Sequence, residues 1–93
     1  MILEREVEAY LGRRVRQMGG KCVKFIPDQD NGMPDRIVML PGSGLIWVEL
    51  KRCEDEDARK LQKMQHRKLR KLGQRVEVVR TKAEVDKLLS EFA

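Results

Sequence analysis

Aromatic side chains are scarce in this chain: one Trp, one Tyr and two Phe make up 4% of its 93 residues. A core must therefore come from aliphatic side chains, and a chain this short buries only a modest one. The length accommodates a single domain, residues 1–93. Cysteine is also rare. Cys22 and Cys53 lie far apart in sequence, which argues against a disulfide framework, and with His66 they offer too few ligands for a zinc site. They read as reduced, structural thiols of a cytoplasmic protein. No apolar stretch approaches the ~18 residues of a membrane span, and no secretory signal is visible. A soluble chain without a membrane partner is expected.

Charge, by contrast, is abundant. Charged residues are 38% of the sequence, and 20 Lys and Arg against 15 Asp and Glu give +5 at pH 7. Such an excess favours a polyanionic partner, because neutralised phosphates release counterions. Nucleic acid is the first candidate. No zinc finger, RNP motif or phosphate-cradling loop accompanies the charge, and nothing calls for a small-molecule cofactor.

The 41% of apolar residues follow clear periods. Residues 3–18 read as a helix, since Leu3, Val7, Tyr10, Leu11, Val15 and Met18 recur at three- and four-residue steps. Gly19-Gly20 stops it. Lys21 to Ile26 reads as a strand ended by Pro27, and residues 27–34 form a polar loop dense in turn formers. Arg36–Leu40 and Leu45–Lys51 flank Pro41-Gly42-Ser43-Gly44, a hairpin signal. Both strands are apolar on both faces near the turn, as central strands are. The charge run over 53–60 opens a helix with a narrow apolar face of Leu61, Met64, Leu69 and Leu72, ended by Gly73. Gln65 then faces solvent. Arg75–Arg80 is a short strand. Thr81-x-x-Glu84 is a capping box for a last helix that buries Val85, Leu88, Leu89 and Phe92. The order α-β-β-β-α-β-α, without repeat or linker, predicts an α/β (α+β) fold: a four-stranded mixed sheet flanked by helices.

One group of residues carries chemistry. Period-two geometry puts Trp47, Glu49 and Lys51 on one face of their strand and Ile46, Val48 and Leu50 on the other. The hairpin brings Asp35 close to Glu49, with adjacent strands ~5 Å apart. Two carboxylates so close repel unless something positive sits between them. A hard divalent cation such as Mg²⁺ commonly uses one or two carboxylates with water and phosphate. A Glu49–Lys51 pair alone would be an ordinary ion pair at a sheet rim; Asp35 after Pro34, in a basic chain, favours a reactive site instead.

Gly32-Met33-Pro34-Asp35 followed by Val48-Glu49-Leu50-Lys51 resembles the G-x-P-D … (D/E)-x-K signature of the PD-(D/E)xK nucleases. Within them the chain is most similar to the virus-type replication–repair nuclease (VRR-NUC) domain, whose short stand-alone members are phage or bacterial proteins. The resemblance spans nearly the whole chain. It includes the acidic first helix, Gly19-Gly20, Lys24, the Pro34-Asp35 turn, the Glu49-Leu50-Lys51 strand, and Gln62 ahead of Leu69 and Gly73.

That resemblance implies a restriction-endonuclease-like core and hydrolysis of DNA phosphodiester bonds with Mg²⁺ or Mn²⁺. It assigns Asp35, Glu49 and the Leu50 carbonyl to the metal, Lys51 to the attacking water, and Gln62 to orienting phosphate or water. An acid of the first helix completes the family's site. Glu4 and Glu8 share a flank of the apolar stripe at ~100° per residue, and Glu8 better matches the corresponding acid of archaeal Holliday-junction resolvases, to which compact members are similar. Glu8 is thus expected as a catalytic metal ligand. Lys24, Arg36 and Arg52 flank the site as DNA-binding residues.

The cluster Arg59, Lys60, Lys63, Arg67, Lys68, Arg70 and Lys71 is either a solvated face or a DNA track. His66 has no visible partner and reads as a surface or DNA-facing residue, and Trp47 as core. The implied activity is that of a homodimeric, Holliday-junction-resolvase-like endonuclease acting on branched or duplex DNA. A nickase, flap or restriction-like nuclease of the same fold is the alternative, and a non-catalytic DNA-binding module comes third.

Overall fold

A computed structural model describes residues 4–51 and 56–93. Leu3, Arg52 and Cys53, each given a role above, lie outside the described residues. The elements follow the expected order: α1 (Glu4–Gln17), β1 (Lys21–Lys24), β2 (Arg36–Leu40), β3 (Gly44–Leu50), α2 (Glu56–Lys71), β4 (Arg75–Val79) and α3 (Lys82–Leu89), closed by a 3₁₀ turn over Ser90–Phe92.

The sheet has strand order β1-β2-β3-β4. The first three strands are antiparallel and β3–β4 is parallel, so the sheet is mixed. Hairpin β2–β3 needs only a short turn, whereas the parallel pair needs a crossover, and α2 supplies it. Gly42 and Gly44 take φ of +79° and +69°, and Ser43 N–H donates to the Leu40 carbonyl at 3.0 Å.

Helices α1 and α3 cover one sheet face. Val7, Leu11 and Val15 of α1 and Val85, Leu88 and Leu89 of α3 pack with Val38, Leu40, Ile46, Val48, Leu50 and Val79 into one aliphatic core. Tyr10 and Met18 reach its edge, as does Phe92. The Tyr10 hydroxyl donates to Asp86 Oδ1 at 2.6 Å and ties the two helices together.

Helix ends are set by the residues the sequence marks. Gly19 adopts φ +81°; its N–H donates to Arg16 and that of Gly20 to Val15, the two bonds of a Schellman cap. Gly73 repeats the arrangement on α2, with Gln74 N–H donating to Leu69. At the other end of the chain, Thr81 Oγ1 accepts the Glu84 N–H at 3.1 Å, which satisfies a donor of the first turn of α3.

Helix α2 lies on the opposite sheet face, and here the sequence reading needs correction. Its buried residues are Gln65, His66 and Leu69. Met64 and Leu72, expected inside, are 38% and 75% exposed. Gln65, expected in solvent, is buried because it has partners: its Nε2 donates to Asp30 Oδ1 at 2.7 Å and to the Asn31 carbonyl at 2.9 Å. Trp47 is half-buried rather than core; it meets Phe25 edge-on at 5.1 Å and donates from Nε1 to Gln74 at 3.2 Å. No helix among the described residues is long and apolar enough to cross a membrane.

Candidate active site

The loop over 27–34 delivers Asp35 to the sheet. Gly32 holds φ +87°, and a Cβ there would lie 2.8 Å from Leu61 Cγ and 3.0 Å from the Leu61 backbone. Glycine is thus required twice, for its torsion and for the close approach of the loop to α2. Gln65 clamps the same loop from the next turn of the helix. Pro34 is buried.

Asp35 stands immediately before β2, and its backbone is pinned by two donors. Its carbonyl accepts the Phe25 N–H at 2.9 Å and an Arg36 guanidinium N–H at 2.9 Å. Its side chain turns to the neighbouring strand, where Oδ1 accepts the Leu50 N–H at 3.4 Å. Arg36 pairs with Val48. One further step of that antiparallel register sets Asp35 opposite Glu49, and opposed residues share a sheet face.

Glu49 is 4% exposed, which is unusual for a carboxylate, because burying a charge is costly without compensation. Its face is the one covered by α2. His66, 6% exposed, places Nε2 3.8 Å from Glu49 Oε1. The expectation that His66 lies on the surface is therefore corrected. Glu49, Lys51, Gln62 and His66 line one cleft of about 200 Å³, together with Arg59, Lys63, Val78 and Arg80. Lys51 follows the last residue of β3, and its N–H donates to the Val79 carbonyl at 3.1 Å. Its side chain is thereby fixed at the root while remaining exposed.

Four of the sequence-derived residues thus converge at one end of β3: Asp35 on the Leu50 N–H, and Glu49, Lys51 and Gln62 in the cleft. Glu8 is placed differently. It forms an ion pair with Arg36, on the face covered by α1, in a second cleft that Lys24 also lines. Arg36 is 5% exposed and holds both Glu8 and the Asp35 carbonyl, so it braces the site from within. Cys22 lines that cleft too, and burial pushes its thiol up, away from the reactive thiolate range.

The donors fit a hard cation. Asp35, Glu49 and the Leu50 carbonyl offer oxygen donors only, a set that suits Mg²⁺ or Mn²⁺. Among the described residues no three His, Cys, Asp or Glu side chains are gathered closely enough to enclose an ion. A cation here would be held by few side chains and keep much of its water, as Mg²⁺ does.

Sequence reasoning did not place His66 or Arg80 in this cleft, and left Arg59 and Lys63 between a solvated face and a DNA track. One signal was present: Gln62 and His66 are four residues apart and so project from one helix face.

Comparison with known proteins bears on the fold. No family profile matches the sequence. A protein of Acyrthosiphon pisum secondary endosymbiont phage 1, named "Putative nuclease p44", is 37% identical over 79 residues, covering 85% of this chain and 84% of that protein. A solved structure described as a VRR-NUC domain superposes with a TM-score of 0.83 at 32% identity, covering 97% of both chains. The chain belongs to the VRR-NUC family. Its mixed sheet is the VRR-NUC sheet.

Proposed function

We propose that the chain is a metal-dependent DNA endonuclease that hydrolyses phosphodiester bonds at the Asp35–Glu49 end of β3. The contact between Asp35 Oδ1 and the Leu50 N–H carries this reading, because it brings the Pro34-Asp35 turn onto the Glu49-Leu50-Lys51 strand. The VRR-NUC family membership and the nuclease name of the phage relative support it.

In this reading Asp35, Glu49 and the Leu50 carbonyl would hold Mg²⁺ or Mn²⁺. The ion, when bound, would polarise the scissile phosphate and offset its developing charge. Lys51, exposed at the cleft and rooted on Val79, orients the attacking water. The water oxygen joins phosphorus as the bond to the leaving sugar oxygen breaks; the water gives up one proton and the leaving oxygen takes one up, so that the net transfer is of the water's proton. Gln62 offers an amide to a phosphate oxygen. Arg59, Lys63 and Arg80 give the cleft a positive rim that draws the DNA backbone in, and Lys24 extends it on the other sheet face. Glu8 enters through Arg36, which it holds against the Asp35 carbonyl.

A homodimer acting on four-way junctions fits the chain's size and surface. The sheet face beyond α2 carries half-buried Val23, Ile37, Met39 and Trp47 beside exposed Leu45, an apolar surface that a second copy would cover. Two sites related by a two-fold axis suit symmetric cutting of paired strands. Incubation of the protein with a four-way junction and with linear duplex, beside light scattering, tests both points. Paired nicks in the junction and a dimer mass are expected. Equal cleavage of linear duplex by a monomer would favour the nickase, flap or restriction-like alternative.

A further inference from the structure

His66 is the feature of the molecule that neither the motif nor the comparisons account for. It is 6% exposed and sits on α2, one turn after Gln62, lining the same cleft as Glu49 and Lys51. Its Nε2 is fully buried and makes no hydrogen bond among the described residues. Burying a ring nitrogen without a hydrogen bond is costly, so a fold that retains one needs a reason. The atom is directed at Glu49: the Nε2–Oε1 separation is 3.8 Å, with both side chains less than a tenth exposed.

At 3.8 Å the two atoms are too far apart for a hydrogen bond, yet closing the gap needs a shift of less than about 1 Å. Contacts of this kind are often long in the free protein and tighten in the working complex. The backbone beside Glu49 is held in place, because the Leu50 and Lys51 N–H groups donate to Asp35 and Val79.

We infer that His66 is a positioning residue: its Nε2–H donates to Glu49 Oε1 and turns the other carboxylate oxygen toward the cation. The inference rests on the proposed acid site and adds a residue to it. Carboxylates that bind metal ions are commonly held by such outer hydrogen bonds, and their loss typically lowers metal affinity 10–100-fold. A purely structural imidazole would have no effect on metal affinity.

The test needs no DNA and no turnover. Free Mn²⁺ is measured by electron paramagnetic resonance while wild type, His66→Gln, His66→Leu and Glu49→Gln are titrated, with circular dichroism recording each fold. His66→Leu should bind Mn²⁺ about tenfold or more weakly. His66→Gln, which restores an N–H donor near the same point, should recover most of that loss. Equal affinity of His66→Leu and wild type would overturn the inference, as would a His66→Gln variant no better than His66→Leu. If Glu49→Gln loses Mn²⁺ while His66→Leu keeps it, the acid site stands and only the role of His66 falls. If Glu49→Gln binds as wild type does, both fall. A second measurement covers misfolding of a variant: in ¹⁵N-labelled wild type with Mg²⁺, imidazole correlations should show the proton on Nε2. An Nδ1–H tautomer would overturn the inference.

Discussion

Asp35 and Leu50 are 15 residues apart, yet the Asp35 carboxylate accepts the Leu50 backbone N–H at 3.4 Å. That bond fastens the end of a polar loop to the end of a buried strand, and the candidate site is built around it. Each side chain of the site can be asked whether it works on the phosphate, on an ion, or only on the fold.

Lys51 should matter for turnover and little for binding. Lys51→Ala should lower the cleavage rate about a hundredfold or more. Its affinity for DNA should stay close to wild type, because the chain carries 20 cationic side chains and each phosphate contact adds only one counterion. Single-turnover kinetics and a filter-binding isotherm separate the two. Normal turnover would remove Lys51 from the mechanism.

Glu8 forms an ion pair with Arg36, which also holds the Asp35 carbonyl. Glu8→Gln should therefore slow cleavage by roughly tenfold, as the loss of an outer partner does, and leave Mn²⁺ affinity near that of wild type. A large fall in Mn²⁺ affinity would instead make Glu8 a direct ligand that leaves Arg36 when the ion binds. Glu4→Gln should be mild in both measurements.

Gln65 couples fold and site. Gln65→Leu removes two hydrogen bonds to the loop over 27–34, and Asp30 and Asn31 are exposed enough for water to replace them in part. A loss of about 1–2 kcal/mol in urea unfolding is expected, with a fall in cleavage because the loop leads into Asp35. Unchanged stability would show that the clamp contributes nothing.

The Arg75–Glu91 pair gives a pH dependence away from the site. The hydrogen bond from Arg75 holds the Glu91 carboxyl below its ordinary 4.5. A carboxylate depressed in the folded state stabilises the fold above that ordinary value, and the contribution is lost as pH falls through the lower, folded-state value. Glu91→Gln should therefore narrow the difference in melting temperature between neutral and acidic pH. The change should be small and shrink with salt, because the pair is solvent-exposed. An unaltered acid limb would mean that the pair is screened out.

The contrast between β3 and α2 shows how much of this was legible in sequence. Strands β2 and β3 were readable because Ile46, Val48 and Leu50 bury aliphatic side chains at every second position, a local pattern. The Gly19 and Gly73 stops and the Thr81 cap were readable for the same reason. Helix α2 was readable as a helix but not in its orientation. Its inner face is polar, with Gln65 satisfied by residues 34 and 35 positions earlier and His66 directed at Glu49. No window of sequence contains both halves of such a pair. The site followed the same division. Asp35, Glu49 and Lys51 were visible as a motif across one hairpin, whereas the Glu8–Arg36 bond and the place of His66 depend on helices packed on opposite faces of the sheet.

Cleavage of a labelled four-way junction with Mg²⁺ or Mn²⁺, before and after exhaustive chelation, tests the acid site most directly when wild type is run beside Asp35→Asn. Cleavage that requires the added ion, stops in chelator and is absent from Asp35→Asn is the predicted result. Undiminished cleavage in chelator, or by Asp35→Asn, would contradict it.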